Sequence, residues 1–128
     1  MTVHVDWDDR DHTILLYTSG STWTWDELYQ ADNRGISMVE AVPHVVDVIV
    51  GFRNSSLQSP SFAQFHRVAA LPTPQTSLIV IAGGGTLLLS LFNLFKLMVC
   101  YAVDKYYWVS DLGKARDILA EKRISLTI

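Results

Sequence analysis

The hydrophobic pattern of the chain changes period several times, and each change marks an element. Residues 3–7 alternate Val, His, Val, Asp, Trp; after the polar stretch 8–12 comes the run TILLYT at 13–18. Two short strand-like runs joined by a polar turn predict an antiparallel hairpin. Thr24-Trp25-Asp26-Glu27 then has the form of a capping box, in which a Thr hydroxyl and a Glu carboxylate three residues on satisfy each other's backbone donors. A helix over 25–41 is expected from there, broken or bent near Gly35 and stopped by Pro43. Trp25, Leu28, Tyr29, Ile36 and Val39 would line its inner face.

Residues 45–52, VVDVIVGF, form a near-continuous β-branched run, the pattern of a strand covered on both faces in a parallel sheet. A helix over 60–70 follows, with Phe62, Phe65, Val68 and Ala69 on one face and Pro72 and Pro74 closing it. A strand at 77–82 leads through Gly83, Gly84 and Gly85 into a helix over 86–102. The last strand, 106–109, precedes a helix capped by Ser110, in which Leu112, Ala115, Ile118 and Leu119 keep helical spacing. The order ββαβαβαβα predicts an α/β fold: a mixed, mostly parallel sheet of about five strands packed by four helices, because parallel neighbours need crossovers and take them right-handed. With 128 residues, one domain over 1–128 is expected.

Composition narrows the classes. The chain is 49% hydrophobic and 18% charged, as an ordered globular protein is, and it carries no low-complexity tract. Its net charge is −3 and its ten Lys and Arg are scattered, which argues against nucleic acid as a partner. Cys100 has no second cysteine to pair with and sits among Leu97, Met98, Val99 and Tyr101, where a small buried hydrophobe is expected. The opening MTVHVDWDDRD has neither a basic nor an apolar signal region, so cytoplasmic residence is the default expectation. Residues 77–103 are apolar enough to be weighed as a bilayer span, but three glycines interrupt them and Asn93 and Lys96 fall within them. A strand, a tight turn and a helix describe that stretch better.

Candidate chemistry concentrates between 45 and 71. A strand that runs through a serine-rich loop into a helix beginning at Ser59-Pro60 puts the loop at the carboxyl end of a sheet, beside free helix N–H groups that favour anions. Arg53, Asn54, Ser55, Ser56, Ser59 and Ser61 form this candidate partner or ligand loop, joined by Gly83, Gly84 and Gly85, which should open on the same edge. The glycines lack the spacing of a dinucleotide fingerprint and the Lys of a P-loop; a tight turn explains them better. Ser59 is most simply an N-cap with Pro60 behind it at the first helical position. In the helix at 86–102 only Ser90, Asn93 and Lys96 make a polar stripe, which leaves an apolar surface wider than a surface helix needs. Leu88, Leu91, Phe92, Phe95 and Met98 are therefore candidates to meet a second copy, a partner protein, a lipid or a neighbouring helix. His4, His12, His44 and His66 have no metal spacing. Asp6, Asp8, Asp9 and Asp11 lack the glycine and terminal glutamate of a calcium loop and read as a solvated turn. No cofactor and no catalytic set is indicated.

The element order resembles the STAS-like, or SpoIIAA-like, domains related to anti-sigma-factor antagonists. The resemblance covers nearly the whole chain through Thr22-Trp23-Thr24-Trp25-Asp26-Glu27-Leu28, Val46-Asp47-Val48-Ile49-Val50 leading to Arg53-Asn54-Ser55, and Val109-Ser110-Asp111-Leu112-Gly113-Lys114-Ala115. It implies a non-enzymatic regulatory module that binds a partner protein, as a homodimer, with a phosphorylation switch at the helix start after the third strand in some members; others bind nucleotides, lipids or other small ligands. The Asp-Ser-Ser/Thr-Gly phosphoacceptor motif of the antagonists is absent here, and Gly51 stands where an acidic residue would be usual. A carrier with a cavity for a small apolar ligand under the helix at 86–102, roofed by Trp23, Trp25 or Trp108, is the alternative reading.

Overall fold

Alternating β-branched and aromatic residues build a five-stranded mixed sheet, seen in a computed structural model that describes residues 3–19, 22–52, 56–57, 76–83, 93 and 106–127. The strands are β1 (Val3–Trp7), β2 (Ile14–Ser19), β4 (Val46–Phe52), β6 (Thr76–Gly83) and β7 (Tyr106–Val109), side by side in that order. β1 pairs antiparallel with β2, Val5 opposite Tyr17, and the other pairings are all parallel. Two shorter strands, β3 (Thr22–Trp23) and β5 (Ser56–Leu57), pair in parallel as a separate ladder that the periodicity does not announce. The expected hairpin, the continuous β-branched strand and the closing strand are all present; the third of the predicted strands begins at Val46, leaving Val45 63% exposed outside it.

Two helices lie among the described residues, α1 (Trp25–Glu40) and α2 (Leu112–Thr127), one on each face of the sheet. Strand alternation explains the division. Leu15, Tyr17, Val46, Val48, Ile79, Ile81 and Tyr106 point to the α1 side, where Trp25, Leu28, Ala31 and Val39 meet them. Ile49, Val80 and Ala82 point to the other side and are covered by Ala115 and Leu119 of α2. The helix expected over 60–70 falls outside the described residues, as does that over 86–102 except for Asn93, which is helical and exposed.

α1 starts as its sequence dictates. Thr24 accepts from the Glu27 N–H at 3.2 Å and the Glu27 carboxylate accepts from the Thr24 N–H at 3.2 Å, a complete capping box. The expected break at Gly35 does not occur; the helix runs through it without interruption to Glu40. Gly35 serves packing instead: a Cβ there would stand 2.0 Å from Tyr17 Oη, so its bare backbone is what lets the helix lie on the tyrosine. Ala31 and Gly35 are buried on the inner face, whereas Ile36 is only half-buried. α2 also departs from expectation at its start. Asp111, not Ser110, is the N-cap: its Oδ1 accepts from the Lys114 N–H at 2.9 Å, while the Ser110 hydroxyl accepts from Lys114 Nζ at 3.0 Å.

The β1–β2 turn is more than the solvated acidic loop its composition suggests. Asp8 is held by Arg116 of α2 through two contacts of 2.8 and 2.9 Å. Asp9 folds back inside the turn, accepting from the Thr13 and Ile14 N–H groups at 2.8 and 2.9 Å and from the Thr13 hydroxyl. His12 takes the left-handed backbone conformation, φ 57°, and its ring stacks on Trp7 with centroids 4.6 Å apart.

Candidate functional site

The parallel strands end together. Thr18, Gly51, Ala82 and Val109 are register neighbours in one row across the sheet. One residue further on, Phe52 is paired with Gly83, so the segments that follow the two strands leave the same edge side by side. Beyond that edge the β3–β5 ladder joins the segment after β2 to the segment after β4, with Thr22 beside Ser56 and Trp23 beside Leu57. The amino ends of α1 and α2 follow β3 and β7 directly. This carboxyl edge is where open parallel sheets keep their binding sites, because the connecting segments there are free of the sheet's own hydrogen bonding.

Gly83 has φ 81°, a left-handed conformation that glycine adopts without steric cost, and its carbonyl accepts from Trp108 Nε1 at 3.1 Å. The indole thereby holds the last residue of β6, and Trp108 packs, partly buried, against the α1-side core. Gly51 answers for the missing acidic residue. A side chain there would begin 2.9 Å from Leu112 Cδ2 and 3.3 Å from the Tyr17 carbonyl oxygen, so the first turn of α2 occupies the space an aspartate would need.

Charge at the described part of this edge is acidic. Asp26 and Glu27 stand in the first turn of α1 and Asp111 at the start of α2, against Lys114. Two of the three carboxylates bind backbone N–H groups of the helix starts. A phosphate would have to displace a carboxylate at either helix start, which removes the usual anion advantage there.

Of the residues singled out in the sequence, Gly83 lies on this edge and Ser56 lies in β5. Arg53, Asn54, Ser55, Ser59, Ser61, Gly84 and Gly85, and the apolar set Leu88, Leu91, Phe92, Phe95 and Met98, lie outside the described residues. Among the described residues no group of three or more His, Cys, Asp or Glu is placed to hold a metal ion. Among them, too, no helix is long and apolar enough to cross a membrane; the first part of the 77–103 stretch is strand β6.

Two polar constellations escape the sequence pattern. At the opposite, amino edge, Asp47 is a buried carboxylate within β4. Arg123 reaches it from α2 with Nε at 2.8 Å and Nη2 at 2.7 Å from Oδ2, and also donates to the Thr13 carbonyl at 3.0 Å and the Thr13 hydroxyl at 3.2 Å. Leu78 N–H satisfies the other Asp47 oxygen at 3.1 Å. Burial pulls Asp9 upward, but the Thr13 hydroxyl, the Ile14 and Thr13 N–H groups and the Arg123 charge outweigh it and hold the carboxyl below the ordinary range. The second constellation sits inside the α1-side core, where Tyr17 Oη donates to Asp32 Oδ1 at 3.0 Å and Asp32 Oδ2 is buried without a hydrogen-bond partner among the described residues. Burial pushes the Asp32 carboxyl up against the opposing effect of the Tyr17 hydroxyl, and burial with the Asp32 charge drives the Tyr17 phenol upward. Only the first had an advance sign, a lone acid in an apolar run, Asp47 amid VVDVIV; Asp32 stands among Gln30, Asn33 and Arg34 and gave none.

No protein-family model, curated protein or solved structure matches the chain. The class established by fold and site is thus an α/β chain with a five-stranded mixed sheet whose parallel strands present their carboxyl ends as one edge.

Proposed function

We propose that the chain is a STAS-like regulatory module, cytoplasmic and non-enzymatic, that works by binding a partner protein at the carboxyl edge of its sheet. The observation that carries this reading is the pairing of Phe52 with Gly83, so that the chain leaves β4 and β6 from adjacent points of one edge, the place where open parallel sheets bind their partners. In support, the described side chains with displaced protonation, Asp9, Tyr17, Asp32 and Arg116, are each engaged by another group of the fold. They act as struts, which suits an interaction module better than a reaction centre.

The finer fold belongs to the same proposal. Two connections, 58–75 and 84–105, each join parallel neighbours; the right-handed rule would carry both over the α1 side of the sheet, giving four helices in all. The apolar helix expected over 86–102 then supplies Phe92 and Phe95 to the partner. Replacing either with Asp tests this: a chain that keeps its circular dichroism and melting temperature but no longer associates supports the interaction surface. Loss of folding in both variants would make the two residues core and remove the basis of the reading. Native mass spectrometry of the same preparations separates the carrier alternative, which requires a copurifying small molecule.

A further inference from the structure

We infer that β1 is a self-association edge, at which a second copy of this chain adds its own β1 antiparallel and continues the sheet across a two-fold axis. Among the described residues nothing pairs with the outer side of β1. The register shows which backbone groups are available. Asp8 N–H donates to the Ile14 carbonyl at 2.8 Å, so by strand alternation the amides of His4, Asp6 and Asp8 turn to β2 and those of Val3, Val5 and Trp7 turn outward. The outward N–H of Trp7 donates to Asp6 Oδ1 of its own strand at 2.8 Å, a bond that pairing would exchange for the Val3 carbonyl of the second copy, freeing the Asp6 carboxylate.

Side-chain pairing selects both the partner and the register. Two β1 strands that pair through their outward groups have three close antiparallel registers. Centred on Val5, His4 of each copy stands opposite Asp6 of the other, twice, by symmetry. Moved by one step either way, the strands oppose Asp6 to Asp6, which sets like charges against each other, or His4 to His4, which gives neither imidazole a carboxylate to bond. His4 and Asp6 are exposed on one face, while Val5 and Trp7 are only half-buried on the other, so the same register would also cover residual apolar surface on the face opposite the His4–Asp6 pairs. Proline, lysine and a bulge, three devices that blunt edge strands, are absent from Val3–Trp7; its one charged side chain, Asp6, is the group that this register pairs with His4. The inference differs from the partner-binding reading in using β1 rather than the carboxyl edge.

Sedimentation equilibrium of the full chain over a concentration series tests it. A five-residue augmentation is small, and dimerisation with a dissociation constant on the order of 10–100 μM is expected. Val5→Pro deletes an N–H that does not serve the β1–β2 ladder and should weaken association at least about tenfold. His4→Asp should weaken it comparably by opposing carboxylates, and His4→Asp combined with Asp6→His should restore it. In a Cys100→Ala background, Val5→Cys should oxidise to a covalent dimer, since residues facing each other in a hydrogen-bonded antiparallel pair have Cα atoms about 5.5 Å apart. If Val5→Pro does not fold, the charge swap and the cross-link decide. A wild-type chain monomeric to about 1 mM overturns the inference. So does a dimer unaffected by His4→Asp and not cross-linked through Val5→Cys. Dimerisation lost in Phe92→Asp but kept in Val5→Pro would also overturn it, while leaving the partner-binding reading intact.

Discussion

Replacing Arg123 with Met should destabilise the folded chain by about 2–3 kcal/mol at neutral pH, and the size of the effect follows from what is left behind. The guanidinium supplies two contacts to Asp47 Oδ2, at 2.7 and 2.8 Å, and two to Thr13. Without them Asp47, whose side chain is 7% exposed, keeps the Leu78 N–H at 3.1 Å on its other oxygen. Charge-assisted hydrogen bonds contribute roughly 1.5–3 kcal/mol each when buried, but the Arg123 side chain is 40% exposed and part of that value is lost to solvent screening. The reverse change, Asp47→Asn, should cost less, about 1–2 kcal/mol, because the freed arginine can turn to water. Urea unfolding measures both: with a slope of roughly 1.5 kcal/mol per M, Arg123→Met should lower the midpoint by about 1.3–2 M. The double variant should reveal a coupling of at least about 1 kcal/mol. An Arg123→Met cost below about 0.5 kcal/mol, or no measurable coupling, would show that the Asp47 contact does not help to hold α2 and that the reasoning about Asp47 is wrong.

Three further outcomes are expected. Gly35→Ala should cost about 2–3 kcal/mol by driving a methyl into Tyr17 Oη, and the cost should shrink in a Tyr17→Phe background, as thermal melts of the four combinations would reveal. Asp111→Ala should cost about 1 kcal/mol through the lost cap of α2, with far-ultraviolet dichroism and urea midpoints as the measure. The two carboxyls with displaced protonation should give opposite pH dependences. Asp32 binds its proton more tightly folded than unfolded, so its contribution is full below the ordinary carboxylate range and falls as pH rises through the elevated folded value; Asp32→Asn should gain on the wild type as pH rises above about 4. Asp9 is depressed, so its contribution is present above the ordinary range and lost as pH falls; the deficit of Asp9→Asn should close below about pH 4. Urea midpoints across a pH series check both signs.

What the sequence reveals and what it hides divide along the range of the forces involved. The capping box of Thr24 and Glu27, the strand runs 13–18 and 106–109 and the spacing of Ala115 and Leu119 are local patterns, and each reappears in the fold. Gly35 misleads because intrinsic propensity says helix breaker, whereas the requirement that decides is the phenol of Tyr17 in another element. Ser110 misleads by one position because two capping residues stand side by side and only hydrogen bonding tells them apart. The Asp47–Arg123 and Tyr17–Asp32 pairs join residues 76 and 15 positions apart, beyond the reach of any periodicity. At the candidate site, the strand-to-loop pattern foretold that the segments after Phe52 and Gly83 would share an edge, but not that β3 and β5 would pair across it or that Leu112 would stand over Gly51.

The strand order also bears on how the molecule assembles in time. Because β1, β2, β4, β6 and β7 lie in space in the order of their synthesis, each strand docks on one already made, and no strand must be threaded between two others. The second face is different: Ile49, Val80 and Ala82 lie on strands made earlier, and among the described residues it is Ala115 and Leu119 of α2 that cover them. That face must stay wet until α2 arrives, so closure of α2 is expected as a late event, after the barrier has been crossed. Leu119→Ala should accordingly speed unfolding far more than it slows refolding in stopped-flow urea jumps, whereas an equal division between the two rates would place α2 inside the nucleus.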